Sequence, residues 1–130
     1  MAAKKRKYLY HGTSLHRFRK LVDSGFAKTL YLAESPGGTE MYRLNAFEQD
    51  TDDGIPEEDN APVIVTFDVG AMFSKGQLEP DWDDVATNME LFPHASQVQD
   101  VSWDESLKAI GTCAYSGTLD GVVVKFRKVE

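Results

Sequence analysis

The stretch YLYHGTS, residues 8–14, decides the beginning of the fold, because a strand pattern ends inside it and a helix pattern starts directly after it. Its first three residues have the aromatic and aliphatic character of a β-strand. The run stops at His11 and Gly12, and a glycine permits a turn or the close approach of another group. We therefore predict a strand at 7–11 that places His11 at its end.

A helix is predicted at 14–24. Its apolar residues recur at three- and four-residue spacing: Leu15, Phe18, Leu21 and Val22. Thr13 or Ser14 has the side chain of a helix N-cap, and Gly25 stands where glycine commonly ends a helix. The chain thus passes from strand to helix within a few residues of His11.

The rest of the chain predicts a mixture of strands and short helices. Strands are predicted at 29–34, 62–69, 112–119 and 122–129, and helices at 39–48, 82–92 and 102–111. Met41, Leu44 and Phe47 would lie on one side of their helix, and a turn at Asp120-Gly121 would join the last two strands as a hairpin. Regular alternation of strand and helix does not persist. The pattern therefore favours a single α+β domain over residues 1–130.

Composition excludes several classes of protein. No apolar run approaches the roughly 20 residues that span a bilayer, so no membrane association is expected. Cys113 is the only cysteine, which rules out an internal disulfide and a metal site of cysteines, and favours a reducing cytoplasm. The three histidines, His11, His16 and His94, show no metal-ligand spacing. We expect no bound metal.

The formal charge of −7 is unevenly distributed along the chain. The residues at 4–7 are all basic, so residues 1–6 form a basic tail. This tail has two interpretations, a solvated segment or a nuclear signal. Acidic residues concentrate in 48–60 and 79–84. The segment 48–61 is predicted to be a mobile acidic loop that folding does not need. Such a distribution suits an anionic ligand near the termini or a basic partner at the acidic loop.

The motif HGT at 11–13, followed by LYLAE at 30–34, resembles the His-Tyr-Glu branch of the ADP-ribosyltransferase superfamily. The chain is similar to the small domains of this kind from phages and bacteria, and to the RNA 2′-phosphotransferases that share the fold. The segments 62–76 and 103–119 extend the resemblance over most of the chain. It implies split, mainly antiparallel β-sheets with short flanking helices, and NAD+ as the substrate.

The resemblance also implies roles for individual residues. His11 would bond a ribose hydroxyl, and Gly12 with Thr13 would bind the nicotinamide carboxamide, where a side chain at Gly12 would obstruct the approach. Tyr31 would stack on the nicotinamide ring during catalysis, and Tyr42 would add a second aromatic wall or pack in the core. Three basic residues would meet the pyrophosphate or be solvated: Arg17, Arg19 and Lys20.

The third motif of the branch, a glutamate at the start of the strand 112–119, is missing. Glu105 lies just ahead of that strand, and we predict it as the catalytic carboxylate that stabilises the positive charge developing on the ribose. Ser102 and Glu105 also have the spacing of a capping box, which would use the same carboxylate for helix capping. If Glu105 is only a cap, three other acids are candidates: Asp104, Glu79 and Asp81.

Three functions are compatible with the sequence. The first is an NAD+-dependent ADP-ribosyltransferase that modifies a protein or nucleic-acid target, for example in phage or prophage takeover of a bacterial host or defence against it. The second is an RNA 2′-phosphotransferase-like enzyme, which is disfavoured because Tyr31 stands where that family has its second histidine. The third is a non-catalytic acidic protein that mimics nucleic acid and inhibits a basic partner. The acceptor and the oligomeric state do not follow from the sequence.

Overall fold

The computed structural model describes residues 7–129, which form one α+β domain with a six-stranded antiparallel sheet. The strands are β1 (Tyr8–Ser14), β2 (Phe26–Ala33), β3 (Pro62–Asp68), β4 (Gly76–Pro80), β5 (Thr112–Thr118) and β6 (Val123–Lys128). The helices are α1 (Leu15–Ser24), α2 (Glu40–Asp52), α3 (Val69–Lys75), α4 (Trp82–Thr87) and α5 (Trp103–Ile110). The single-domain α+β prediction is confirmed. The basic tail predicted at 1–6 lies outside the described residues.

The sheet is divided into two halves that barely touch. Its strand order is β4-β5-β2-β1-β3-β6. β1 pairs with β3 along seven consecutive residue pairs, but its register with β2 has the single pair Tyr10↔Ala33. The sheet therefore consists of the halves β4-β5-β2 and β1-β3-β6, and we call the line between β1 and β2 the seam. The pairing is antiparallel throughout, as predicted, but the strands form one continuous sheet and not separate sheets.

Helix α1 forms as its sequence pattern predicts. The backbone N–H of Arg17 donates to Ser14 Oγ at 3.2 Å, so Ser14 is the N-cap. Gly25 ends the helix in the left-handed conformation at φ +69°, where a glycine has no Cβ penalty. Leu15 and Phe18 are buried in the main core together with the apolar residues of β3. α1 thus follows β1 directly and packs against the core with Leu15 and Phe18.

Helix α2 corrects one prediction. It continues to Asp52, so the residues 48–52 of the predicted acidic loop are helical. The side that carries Met41, Leu44 and Phe47 is exposed, at 65%, 49% and 41% accessibility. The face that packs against β1 carries the buried residues Ala46 and Asp50. The hydroxyl of Ser14 on β1 donates to the buried carboxylate of Asp50, which holds this face against the strand.

The rest of the acidic segment is anchored at its end. Asn60 is 1% exposed, and its Nδ2 donates to the carbonyl of Phe47 at 3.0 Å and to Thr51 Oγ1 at 2.8 Å. A carboxylate oxygen of Asp59 accepts from Arg19 at 3.1 Å. Of the predicted loop 48–61, only residues 53–58 therefore form an exposed connection between α2 and the anchored residues Asp59 and Asn60.

The C-terminal strands correct the predicted hairpin. A turn is present at Asp120-Gly121, with Gly121 at φ +75°, but the two strands that it joins do not pair. β5 is inserted between β4 and β2, whereas β6 pairs with β3 at the opposite edge. The turn signal is local in the sequence, whereas the pairing of each strand depends on contacts with distant segments of the chain. Likewise α3 and β4 were not predicted, and the helix predicted at 82–92 ends at Thr87.

Candidate functional site

The seam opens into a pocket of about 350 Å³ lined by β1, β2, α1 and α2, and His11 lies in the middle of β1 and not at the end of a strand 7–11 as predicted. The pocket brings together all five residues predicted to bind the dinucleotide: His11, Gly12, Thr13, Tyr31 and Tyr42. A larger groove of about 910 Å³ lies between α1 and β6, but mainly apolar side chains such as Phe18 and Phe126 line it. We therefore take the seam pocket, with its combination of imidazole, phenol and guanidinium groups, as the candidate site.

His11 links the two halves of the sheet. Its Nδ1 donates to the carbonyl oxygen of Tyr31 over 2.7 Å, and because a carbonyl can only accept, Nδ1 carries the proton. Burial lowers the pKa of His11 more than this hydrogen bond raises it. The imidazole is therefore neutral at pH 7, and its Nε2 carries the lone pair. A neutral Nε2 accepts a hydrogen bond from a hydroxyl group.

Gly12 is required by packing inside the protein. A Cβ at this position would lie 2.5 Å from the carbonyl oxygen of Thr39 and 2.9 Å from Cγ of Arg43. These contacts bring the start of α2 directly onto β1. The sequence analysis explained Gly12 by access for a ligand, whereas the structure explains it by close packing against Thr39 and Arg43. Gly12 also lines the pocket.

Tyr31 and Tyr42 form an aromatic pair at one side of the pocket. Their rings are parallel within 9° and their centroids are 6.3 Å apart. This centroid distance lies within the range of two aromatic rings packed directly on each other in an offset arrangement. Burial, and then the negative charge of Asp81, raises the pKa of both phenols, so both remain neutral.

Acidic residues surround the hydroxyl end of the tyrosine pair. Asp81 is 4% exposed, and its Oδ2 accepts from Thr112 Oγ1 at 2.7 Å. The pKa of Asp84 is raised by burial and by the charge of Asp81. These negative charges next to two aromatic faces favour a cationic ring. The sequence showed the acidic run 79–84, but nothing local in it indicated that the run lies beside Tyr31.

Arg17 is the one predicted pyrophosphate ligand that lines the pocket. Its Nε donates to Asp50 Oδ1 at 2.9 Å and its Nη2 to Gln49 Oε1 at 3.0 Å. Asp50 is buried and also accepts from the hydroxyl of Ser14 at 2.6 Å. This network holds the guanidinium at the mouth of the pocket, where the Arg17 side chain is 38% exposed. Arg19 instead pairs with the exposed Asp59.

Glu105, the predicted catalytic carboxylate, caps α5. Its Oε1 accepts from the backbone N–H of Ser102 at 3.0 Å, and Ser102 Oγ accepts from the backbone N–H of Glu105 at 3.1 Å. Its Oε2 pairs with His94 Nε2 at 2.7 Å. The bond from the Ser102 backbone lowers the pKa of Glu105. Glu105 is not among the described residues that line the pocket, so the structure brings it together with a helix terminus and not with Tyr31.

No family model, curated protein or solved structure matches the chain. Within residues 7–129 no group of three or more histidine, cysteine or acidic side chains is arranged to hold a metal ion, and no helix there is long and apolar enough to cross a membrane. The arguments about function therefore rest on the geometry of the seam pocket.

Proposed function

We propose that the protein binds NAD+ at the seam and transfers its ADP-ribose to a macromolecular acceptor. The observation that carries the proposal is the placement of His11 and the Tyr31–Tyr42 pair in one pocket, fixed by the bond from His11 Nδ1 to the Tyr31 carbonyl. A pair of aromatic rings suits stacking of a nicotinamide ring, and the neutral imidazole of His11 can accept a hydrogen bond from a ribose hydroxyl.

The charge around the tyrosine pair supports the oxidised form of the cofactor. The nicotinamide ring of NAD+ is a cationic pyridinium, whereas the ring of NADH is neutral. Two aromatic faces with Asp81 and Asp84 beside them attract a cation. We therefore expect the pocket to bind NAD+ more tightly than NADH.

The opposite side of the pocket suits the rest of the dinucleotide. The lone pair on His11 Nε2 would accept from a ribose hydroxyl, and the partly exposed guanidinium of Arg17 would approach the pyrophosphate. The salt bridge to Asp50 offsets part of the charge of Arg17. Arg17 would therefore contribute to pyrophosphate binding through directed N–H groups more than through net charge.

The proposed setting is the cytoplasm of a bacterium or of a phage-infected host, where NAD+ is available. The buried Cys113, the only cysteine of the chain, fits a reducing compartment. A role in host takeover or against host defence is part of this proposal, and the acceptor would be a protein or a nucleic acid.

Calorimetric titration with NAD+ tests the proposal. We expect the Tyr31→Ala variant to bind NAD+ at least about 10-fold more weakly than the parent, which corresponds to about 1.4 kcal/mol of lost stacking and burial. Tyr8→Ala, which removes a tyrosine of β1 that does not line the pocket, is the matched control and should bind normally. Equal affinity of Tyr31→Ala and the parent, or no binding by the parent at millimolar NAD+, would contradict the proposal.

A second candidate is a non-catalytic protein that binds a basic partner. The exposed stripe Met41, Leu44 and Phe47 on α2 favours it, because the exposed acids Glu40 and Glu48 border this stripe. Such a surface matches a partner with an apolar centre and a basic rim. This candidate predicts that NAD+ does not raise the melting temperature, whereas the enzyme should gain about 2.7 kcal/mol at one hundred times the dissociation constant.

A further inference from the structure

Strand β6 is an open edge of the sheet. It stands last in the strand order, and among the described strands it pairs with β3 alone. Its residues 124–128 are all exposed, including Phe126 at 47%. The unpaired backbone groups of such an edge form a template for another strand, so natural proteins usually shorten, cover or charge it. β6 is therefore a place where another chain can add to the sheet.

The hydrogen-bond pattern shows which backbone groups of β6 point outward. The N–H of Val129 donates to the carbonyl oxygen of Pro62 at 2.8 Å, between the chain ends of β6 and β3. In an antiparallel pair alternate residues face the partner strand, so the residues two and four positions before Val129 also face β3. The N–H and C=O groups of Phe126 and Lys128 therefore point away from β3, and no hydrogen bond within residues 7–129 occupies them.

The side chains of β6 divide between the two faces of the sheet. Phe126 lies opposite Val65 of the main core, and its ring contacts that of Phe18 at a centroid distance of 4.5 Å. Lys125 and Arg127 alternate with Phe126 and lie on the other face. A strand added to this edge would place one row of side chains beside the aromatic ring and the other row beside the two cations.

A groove of about 910 Å³ lies on the side of Phe126, between α1 and β6. Val22 of α1 and Val124 of β6 line it and are 50% and 49% exposed. One acid, Asp120, also lines the groove, in the turn that precedes β6. An exposed apolar groove beside an unpaired strand can hold the apolar side chains of an added strand.

Three cations set β6 apart from the rest of an acidic protein. Lys125, Arg127 and Lys128 belong to the strand, which contains no acid, whereas the whole chain carries a charge of −7. Among the described residues no ion pair neutralises these cations. A second copy that paired through its own β6 would bring the same cations together, and like charges on opposite strands are destabilising. The edge therefore fits a different chain with acidic side chains.

We propose that β6 binds an extended acidic segment of a partner protein as an added strand of the sheet. The backbone of this segment pairs with the outward N–H and C=O groups of Phe126 and Lys128. Its apolar side chains occupy the groove beside Phe126, and the acidic side chains that alternate with them lie next to Lys125 and Arg127. The inference concerns an edge of the sheet and does not depend on the proposed binding of NAD+.

A capped peptide of about seven residues, with valine and glutamate at alternate positions, is the probe, and the same peptide with lysine in place of glutamate is its control. Titration of the isotope-labelled full-length protein, followed by nuclear magnetic resonance, measures both affinities. We expect the glutamate peptide to bind at least about 10-fold more tightly than the lysine peptide. Equal affinities, or no binding of the glutamate peptide at millimolar concentration, would contradict the proposal.

Amide hydrogen exchange tests strand addition directly. In the free protein the amides of Phe126 and Lys128 should exchange quickly and that of Arg127 slowly, because Arg127 faces β3. The glutamate peptide should slow exchange at Phe126 and Lys128 by at least about 10-fold. Binding that leaves these two amides unprotected overturns the inference, because charge alone then attracts the peptide. Protection in the free protein that rises with protein concentration would make a second copy the occupant and would also overturn it.

Reversal of the charges on β6 tests the choice of partner. The double variant Lys125→Glu, Arg127→Glu should prefer the lysine peptide, which is the reverse of the parent. The matched control, Lys28→Glu with Lys75→Glu, makes the same change in net charge at exposed residues outside the groove and should keep the parental preference. Melting temperatures close to that of the parent show that both double variants are folded.

Two further outcomes of these measurements would overturn the inference. The same change of preference in both double variants would show that net charge, and not β6, selects the peptide. Tighter binding of the parent to a uridine oligomer of about ten nucleotides than to the glutamate peptide would make a nucleic acid the occupant of the basic edge.

Discussion

The seam pocket and the segment around α5 differ in how their polar groups are held. At the seam, hydrogen bonds join residues far apart in the chain: His11 with Tyr31, 20 positions away, and Ser14 with Asp50, 36 positions away. Around α5 the bonds of Ser96 with Asp100 and of Ser102 with Glu105 span four and three positions. The first network needs the folded sheet, and the second needs only a turn.

This difference describes how the predicted carboxylate, Glu105, is held in the structure. A local motif such as the capping box of Glu105 forms wherever its residues stand at the right spacing, and its oxygens are then occupied. The groups at the seam are held instead by the tertiary structure, in hydrogen bonds between residues far apart in the chain. Four predictions test this contrast, from the largest expected effect to the smallest.

Gly12→Ala should have the largest effect, because the seam depends on close backbone packing. The new Cβ would overlap the carbonyl oxygen of Thr39, which is backbone and cannot rotate away. We expect the free energy of unfolding in urea to fall by about 3 kcal/mol. Gly37→Ala is the control, since no atom lies within 4 Å of its added Cβ. A Gly12→Ala protein as stable as the Gly37→Ala protein would contradict the observed packing.

Asp50→Ala should destabilise the protein by about 2 kcal/mol, because the hydroxyl of Ser14 loses its acceptor in a buried place. The partly exposed Arg17 can regain water, which limits the loss. Asp52→Ala changes an exposed acid on the same helix and should stay within about 0.5 kcal/mol. Equal chemical denaturation midpoints for the two variants would mean that the seam network does not stabilise α2.

His11 should make stability depend on pH. Its pKa is lowered in the folded protein by burial, while the unfolded chain has the ordinary value near 6.5. Below pH 6.5 the unfolded state therefore binds more protons, and the stability that is present above this pH is lost as the pH falls. We expect a loss of about 1 kcal/mol between pH 7 and pH 5.5 in the parent.

The same measurement on His11→Gln provides the comparison for this pH effect. Gln does not titrate, and its amide can still donate to the Tyr31 carbonyl across the seam. The variant should therefore lose less stability than the parent over the same pH range. Identical pH profiles of the two proteins would show that His11 is not the titrating group.

Glu105→Gln should have the smallest effect on stability. Gln closes a capping box as Glu does, so only the exposed ion pair with His94 is lost. The free energy of unfolding should stay within about 0.5 kcal/mol of that of the parent, so the melting temperature should change little. A large loss would mean that the α5 segment depends on tertiary charge interactions as the seam does, and the contrast between the two regions would fail.

The sequence by itself determined the elements whose signals are local. The cap at Ser14, the left-handed Gly25 and the apolar spacing between them specify α1, and the capping box of Ser102 specifies the start of α5. The continuous apolar run of β3 likewise predicted a buried strand, and its residues are among the most buried of the chain. In each of these elements the deciding partners lie within a few residues of one another, so the pattern alone contains the information.

Only the tertiary structure decided which elements meet. The turn at Asp120-Gly121 predicted a hairpin, but β5 and β6 pair with strands from elsewhere in the chain. The motif residues His11 and Tyr31 were predicted from the sequence, but the sequence could not choose among its candidate acids, because only strand register sets Glu79 in one row with Ala114 and Tyr31. Register depends on contacts between distant segments, and a shift of one residue would turn Glu79 to the opposite face.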